Sequence, residues 1–560
     1  MLNPFGRISR TYRHFARWRE ITRVLLKHGF GDFASKTGLR RYRRFHRRSA
    51  AEMASERVLS RFERIRLAAE ELGPTFIKLG QMLSTRTDIL PPDLITELEK
   101  LQDAVPPFPG DEAWEILRRE YGCDPAERLA RFNREPIASA SIAQVHEAAT
   151  RDGERIVLKV QRPSITAVIE TDLEIMAELA GLIERFVHGA AVLQPVKLVH
   201  EFGRSIRREL DFTLEANYME QFTRHFAGER TFHVPVVNRE LSTRRVLAME
   251  YVDGIKVTRF SDLEAQGLDR AVIAERGAQV LLRQVFEFGI FHADPHPGNI
   301  LILPGNVVCL LDYGSVGILS ERHREQLSNL IIGFVNRDEF RVTHAVFQLA
   351  GYTNFERTDE VEVDIANFMQ DHLYRSLRDI RIGYVLSELT RLLVRHDIRM
   401  PPSFFLLTKS ITTLEAIGRM LVPDFDLMHY AQPYARRLLR ERVRPRKVLH
   451  EFFMSALEVR SILRDFPFEI RHMLTMVKQG AKVRLRHEGL EGMRRSNDQI
   501  SNRVVFAIVL AALIVGSSLL VLSGIPPKWH EIPVIGLGGV IASGVMGFWL
   551  LYSILKHGRM

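Results

Sequence analysis

Two stretches carry residue types suited to handling phosphate. HADPHPGN, His292 to Asn299, sets Asp294 and Asn299 in a D-x-x-x-x-N spacing, and LLDYG follows with Asp312. Phosphoryl transfer asks a protein mainly to position the reactants and to neutralise negative oxygens, which hard Mg²⁺ does when oxygen ligands hold it. Asn299 and Asp312 supply such oxygens, and Asp294 would orient or deprotonate the attacking hydroxyl or water. Alone, the pattern is also that of a polar loop cap. Upstream, RIVLKVQ places Lys159 on one strand face with Val157, opposite Ile156, Leu158 and Val160. A phosphate-binding lysine needs an acid to steady it. RSIRRELDFTLEANYMEQF offers Glu209, Asp211 and Glu215. Asp211 and Glu215, four apart, are expected on one helical face with Glu209 off it, and Glu215 is assigned to Lys159.

A nucleotide also needs a cover. IASASIAQV has the spacing of the G-x-G-x-x-G-x-V loop of protein kinases, with Ala138, Ala140 and Ala143 where glycines stand and Val145 in the valine position. The candidate nucleotide-binding set is therefore Ile137, Ala138, Ser139, Ala140, Ser141, Ile142, Ala143, Gln144 and Val145. Lys159 joins it, as do Met249, Glu250 and Val252 of MEYV, on a strand leading into a helical lobe. Lys159 alone would be an edge lysine as often as a phosphate ligand. The ordered series of loop, lysine, MEYV, catalytic-loop pattern and LDYG is what carries weight. Two departures narrow the chemistry. Ala293 replaces the arginine that holds a phosphorylated activation loop, and SVGILSERHREQL enters a helix directly after Asp312-Tyr313-Gly314. A platform for a protein substrate is therefore not expected. This favours a small-molecule kinase, a lipid kinase or an ATPase.

The elements that must position these residues are legible in outline. Residues 51–110 read as a helical extension ending in PPFPG, and 111–260 as a small mixed lobe. In that lobe AQVHEAAT and RIVLKVQ form a hairpin about an Asp-Gly turn, a long helical stretch runs from Ser164 to about Ala227, and HVPVVNREL and RVLAMEYV are further strands. Residues 261–500 read as a helical lobe interrupted by the hairpin NILIL and VVCLLDY, and a cleft between two such lobes is a natural ligand site.

The chain has 560 residues and a net charge of +10, concentrated at its start, where fourteen Lys and Arg precede Ser49 against two acids, Glu20 and Asp32. In residues 1–50, RTYRHFARWREITRVLLKHGF suits a helix on an anionic membrane, a targeting segment, or a helix packed on its own domain. Two distant cysteines, Cys123 and Cys309, make no disulfide framework and point to a reducing compartment. Residues 504–524 are uncharged and would span ~31 Å as a helix, near the thickness of a bilayer core. A second uncharged run covers 533–555, and basic flanks predict a two-span hairpin with both ends and the preceding domain cytoplasmic. Glycines 536, 538, 539, 544 and 547 permit close helix packing within the hairpin or between two copies. The basic stretch carries no recognisable nucleic-acid motif, so nucleic acid is not an expected partner.

KLGQ (Lys78 to Gln81), the alanine loop, ELDFTLEAN, HADPHPGNIL and LLDYG together resemble the UbiB family of atypical kinase-like proteins, over nearly the whole chain. The resemblance implies an α+β, protein-kinase-like two-lobe fold with an N-terminal helical extension and a C-terminal transmembrane hairpin. It implies binding of ATP or ADP with Mg²⁺, and a role in ubiquinone biosynthesis that involves quinone-precursor lipids or the biosynthetic enzymes at a bacterial inner membrane. By the family's pattern Lys78 and Gln81 lie over the nucleotide pocket near Glu209, while Lys159, Glu215, Asp294, Asn299 and Asp312 take the shared kinase roles. Tyr313 stands for the usual phenylalanine and should still pack as an aromatic. The stiffer alanine loop is expected to cover nucleotide in a pose that suppresses stray phosphoryl transfer. A small-molecule kinase and an ATP-binding pseudokinase scaffold are the alternatives.

Overall fold

The small lobe is an antiparallel sheet in the order β1 (Leu129–Phe132), β3 (Ala143–Thr150), β4 (Arg155–Gln161), β6 (Val246–Glu250), with β2 (Ala138–Ser139) paired to β3. The structure is a computed structural model. It describes residues 4–30, 59–86, 89–101, 105–186, 194–352, 358–373, 382–396, 398, 400–442, 491–529 and 532–557. Strand alternation sorts β4 as the sequence suggests. Ile156, Leu158 and Val160 pack with Ala113, Ile116 and Leu117 of the helix Gly110–Tyr121, while Val157 joins the main core beside Met249. Lys159 shares the Val157 face, so the sheet delivers its amine toward Glu215. The turn between β3 and β4 places Gly153 at φ 84°, which a side chain would resist.

Three helices separate β4 from β6: Ile165–Phe186, Pro195–Glu209 and Phe212–His225. The break between the last two corrects the expected helix face. Asp211 lies before the third helix as its N-cap, its Oδ1 accepting from the Thr213 N–H at 3.2 Å, a bond worth about 1 kcal/mol. Glu209 ends one helix and Glu215 lies in the first turn of the next, so no single helix carries the three acids. HVPVVNREL is also mostly not strand. Only Phe232–His233 (β5) is ladder, with an isolated bridge from Val237 to Met249. Pro235 has no N–H to offer a ladder.

In the large lobe β5 continues through β10 (Val307–Leu310) and β9 (Ile300–Leu303) to β7 (Ile255–Lys256), and β8 (Ile290–His292) pairs with β11 (Val316–Ile318). The hairpin of β9 and β10 brings Asn299 back beside Asp312. After β11 the helix Glu321–Asn336 begins, capped by Ser320, so the segment after the DYG triplet is a single short strand.

The N-terminal helix Pro4–Lys27 packs on its own domain. Ile21 and Val24 are buried against Leu72 and Ile175, and Arg17 bonds Asp172 at 2.7 Å. Each buried aliphatic side chain contributes about 1.5–3 kcal/mol. That face is therefore committed to protein contact and is not available to a membrane surface, while residues 31–50 lie outside the described residues.

Residues 450–560 form a separate compact unit, in which the helices Glu491–Ser523 and Val534–His557 pack through Gly536 and Gly539 against Val521 and Ser517. Among the described residues one helix is long and apolar enough to cross a membrane, Val505–Ser523, with mean hydropathy 2.8. The second apolar run, Val534–Trp549, is shorter, ~24 Å as a helix against a bilayer core of ~30 Å. The expectation of two spans is thus met by one.

Candidate functional site

Lys159 projects from β4 onto Glu215, its Nζ donating to both carboxylate oxygens at 2.9 Å and lying 3.5 Å from Asp312 Oδ2. The lysine comes from the sheet, the glutamate from the first turn of the helix Phe212–His225, where the N-terminal dipole favours an acid, and the aspartate from the end of β10. Glu215 also accepts the Tyr313 N–H at 3.3 Å, so one buried carboxylate joins the small-lobe lysine to the DYG backbone. Burial pushes the Glu215 carboxyl up to about 7 against the opposing pull of Lys159. Burial works against the Lys159 ammonium, but Asp312 and Glu215 outweigh it and hold the lysine above its ordinary value. Burial likewise raises Asp312, yet Lys159, the Gly314 N–H and the Lys78 charge bring it below the usual carboxylate range. Gly314 donates to Asp312 Oδ1 at 2.8 Å, and a Cβ there would sit 3.1 Å from that oxygen.

The catalytic-loop pattern is fixed by backbone bonds. The His292 Nδ1 accepts the Asp294 N–H at 3.2 Å and its Nε2 meets the Asp312 carbonyl, which selects the Nε2–H tautomer. Burial pushes this imidazole down, so it is neutral. Tyr313 is fully buried against Phe222 and His292, as an aromatic there should be. Asn299 closes a 3₁₀ turn, and its carbonyl accepts the Leu311 N–H at 3.0 Å, tying it to the residue before Asp312. Asp294 is paired with Lys409 at 2.8 Å. Lys409 escaped sequence reasoning because it lies far along the chain in an ordinary-looking helix.

The alanine loop needs no glycine. The described non-glycine residues with positive φ are Ser164, Gln194, Asn306 and Arg337, so Ala138, Ala140 and Ala143 all take conformations open to alanine. Ala138 and Ser139 pair with Val145 and Gln144, and the Ala140 N–H donates to Ala143 O at 2.8 Å. Arg162 fastens the loop. Its guanidinium donates to Ala140 O at 2.9 Å, Ser139 Oγ at 2.8 Å and Pro106 O at 2.9 Å, and stacks 5.6 Å from the Phe108 ring. Sequence reasoning missed Arg162, although its position three residues past Lys159 on the same strand end was a usable signal.

Not every member of the predicted nucleotide set turns to the cleft. Ser141, Ile142, Ala143 and Gln144 are buried, Ile142 in the main core and Gln144 exchanging amide bonds with the Phe108 backbone at 3.1 and 3.2 Å. Ile137 is exposed and Val145 partly buried. Met249 is buried and pairs with Val157, and Val252 follows just past the end of β6. Glu250 spends its carboxylate on His233 at 2.9 Å and the Val236 N–H at 3.1 Å. From the extension helix Pro74–Ser84, Lys78 reaches Glu209 at 2.7 Å, while Gln81 donates to Leu101 O at 3.2 Å. Gly80 between them is buried against Leu98 and Leu101, where a Cβ would approach Leu101 Cδ1 to 2.3 Å.

The chain is similar to known proteins over most of its length. The ABC1 atypical kinase-like domain matches residues 100–346, the UbiB helical domain residues 365–426, and the ABC1/UbiB kinase-like C-terminal domain residues 488–556. An uncharacterized protein of Clostridium pasteurianum is 31% identical over 500 residues, 89% of this chain and 94% of its own length. A probable protein kinase UbiB of Aeromonas hydrophila is 38% identical over 448 residues, 78% of this chain and 81% of its own. A Mycobacterium tuberculosis protein solved with erythromycin aligns with a TM-score of 0.43 at 23% identity, over 62% of this chain and 92% of its own. With a lysine–glutamate–aspartate cluster in a two-lobe frame and relatives of this extent, the chain belongs to the UbiB family of atypical kinase-like proteins.

Proposed function

We propose that the chain is a membrane-anchored, ATP-using kinase-like enzyme that hydrolyses ATP or transfers its phosphate in support of ubiquinone biosynthesis, on lipid precursors or their enzymes. The observation that carries this is the meeting of Lys159 with Glu215 and Asp312 within 3.5 Å. Lys159 would hold nucleotide phosphates, steadied by Glu215, and Asp294 would orient the attacking hydroxyl or water. Asp312 and Asn299 are oxygen donors of the kind that hold Mg²⁺ through one or two protein groups plus phosphate. That ion would neutralise the phosphate oxygens. The segment Ile137–Val145 would cover the nucleotide with Lys78 and Gln81 nearby. The apolar helix Val505–Ser523 would tether the chain.

The test uses the purified full chain in phosphatidylethanolamine–phosphatidylglycerol vesicles with ATP and Mg²⁺. Phosphate release that rises with lipid and vanishes in Asp312→Asn supports the reading. Release unchanged by that substitution refutes it. The short β11 after the DYG triplet leaves no platform for a peptide, which also favours a small-molecule kinase. A phosphorylated metabolite in the same assay would select that alternative.

A further inference from the structure

The residues that the kinase pattern names come from the two lobes, but the catalytic loop is gripped from elsewhere. The helix Pro402–Leu421, within the matched UbiB helical domain, holds it at two successive residues. Lys409 Nζ lies 2.8 Å from Asp294 Oδ1, and the fully buried Ser410 donates its hydroxyl to the His292 carbonyl at 2.8 Å. One contact fixes the side chain of the candidate base and the other fixes the backbone two residues before it. The loop HADPHPGN contains no Lys or Arg of its own. His292 is buried and neutral, and His296 takes the Gly298 N–H on its Nδ1 at 3.1 Å. Lys409 is thus a cation placed at Asp294 by a segment outside the kinase-like domain match.

The pair is too exposed, at 38% and 45%, for its attraction to matter much to folding. Its value lies in geometry. An aspartate that must receive a hydroxyl proton works when one oxygen is fixed and the other is left for the substrate. We propose that Lys409 is the positioning residue for Asp294, and that the Pro402–Leu421 helix is a working part of the phosphoryl-transfer site. This rests on the phosphate chemistry proposed above. The same helix meets the extension one turn earlier, where the Arg86 guanidinium lies 5.9 Å from the Phe405 ring.

The test compares the full chain with Lys409→Met and Lys409→Arg in the same vesicles, reading phosphate release and Mg-ATP affinity separately. A misplacement of about 1 Å at a catalytic group costs on the order of 10²-fold. Lys409→Met is therefore expected to lower kcat roughly 30- to 100-fold with Mg-ATP affinity within about twofold of the parent, and Lys409→Arg to recover to within about fivefold. A kcat for Lys409→Met within about twofold of the parent overturns the proposal. So does a joint loss of affinity and melting temperature that arginine does not repair, which would mark Lys409 as a strut. Asp312→Asn run alongside separates the two levels. If that variant keeps full activity, the nucleotide chemistry itself has failed. If it is dead while Lys409→Met is normal, only the role of Lys409 has.

Discussion

Glu215→Gln should abolish two opposite pH dependences of the parent, a fall in stability and a rise in nucleotide affinity as pH increases. Glu215 is 4% exposed, and its carboxyl is pushed from 4.5 up to about 7 by burial. An acid raised in the folded state stabilises the fold below pH 4.5 and withdraws that contribution as pH climbs through 7. At ~1.4 kcal/mol per pH unit the withdrawal amounts to about 3 kcal/mol. The neighbours do not blur this window. Lys159, held up, keeps its contribution below 10.5, and Asp312, held down, keeps its own above 3.8. The parent should therefore lose about 3 kcal/mol relative to Glu215→Gln between pH 4.5 and 8. Affinity runs the other way, because the ionised carboxylate is what holds Lys159 in place at 2.9 Å. If only that form is competent, its fraction rises from about a tenth at pH 6 to about nine tenths at pH 8, a roughly tenfold gain in Mg-ADP affinity. The glutamine variant should bind weakly with no such gain. Parallel urea unfolding and Mg-ADP titration of the two proteins from pH 5 to 8 read both slopes. A parent-minus-variant stability difference that stays flat across this range would refute the account of Glu215 as a buried, titrating anchor.

Three further outcomes are expected. Arg162→Ala removes several bonds to neutral acceptors on the loop and linker, each worth about 1 kcal/mol. It should speed nucleotide exchange several-fold by stopped-flow fluorescence while kcat changes less. Gly80→Ala gains about 1 kcal/mol of helix propensity but drives a methyl into Leu101, an overpacking cost of about 1–3 kcal/mol. The net is a loss of up to about 2 kcal/mol, read as a lower urea midpoint; a higher midpoint would mean the extension is not closed on Leu98 and Leu101. Val515→Arg places a charge midway along the apolar helix Val505–Ser523 at a cost of about 2.5–3.5 kcal/mol. It should shift the chain toward the soluble fraction after carbonate extraction, and full retention would show that other segments suffice to anchor it.

The parts of the site that follow local rules were legible in the sequence. Period-two alternation gave the β3–β4 hairpin and the side on which Lys159 stands, and residue types with spacing singled out Glu215, Asp294, Asn299 and Asp312. What escaped was set by tertiary context. Asp211 has the i,i+4 spacing of a helix face, but its short side chain caps the following helix instead. Gln144 and Ile142 belong to a loop whose spacing matches a nucleotide cover, yet the turn between β2 and β3 buries all of residues 141–144, with Ile142 in the main core and Gln144 bonded to the Phe108 backbone. Lys409 was invisible for a plainer reason. A long cation on a helix or strand end can reach many partners, and sequence does not say which.

The alanine loop keeps kinase spacing without glycine for a structural reason. Glycine serves a loop that must flex, take positive φ, or bring bare backbone against phosphate. Here the loop is a short strand pair whose turn is closed by an Ala140-to-Ala143 bond, and its outer edge is pinned by Arg162 to Val105 and Pro106 of the linker. Such a loop has little conformational freedom for alanine to remove, so alanine stabilises it through the unfolded chain without straining the fold. The same linker leads back to the extension, where Lys78 holds Glu209 across the cleft margin. With the loop fastened by Arg162, replacing Ala140 with glycine should loosen it only slightly. The alanines and the clamp are therefore parts of one device, and freeing the loop requires releasing the clamp first.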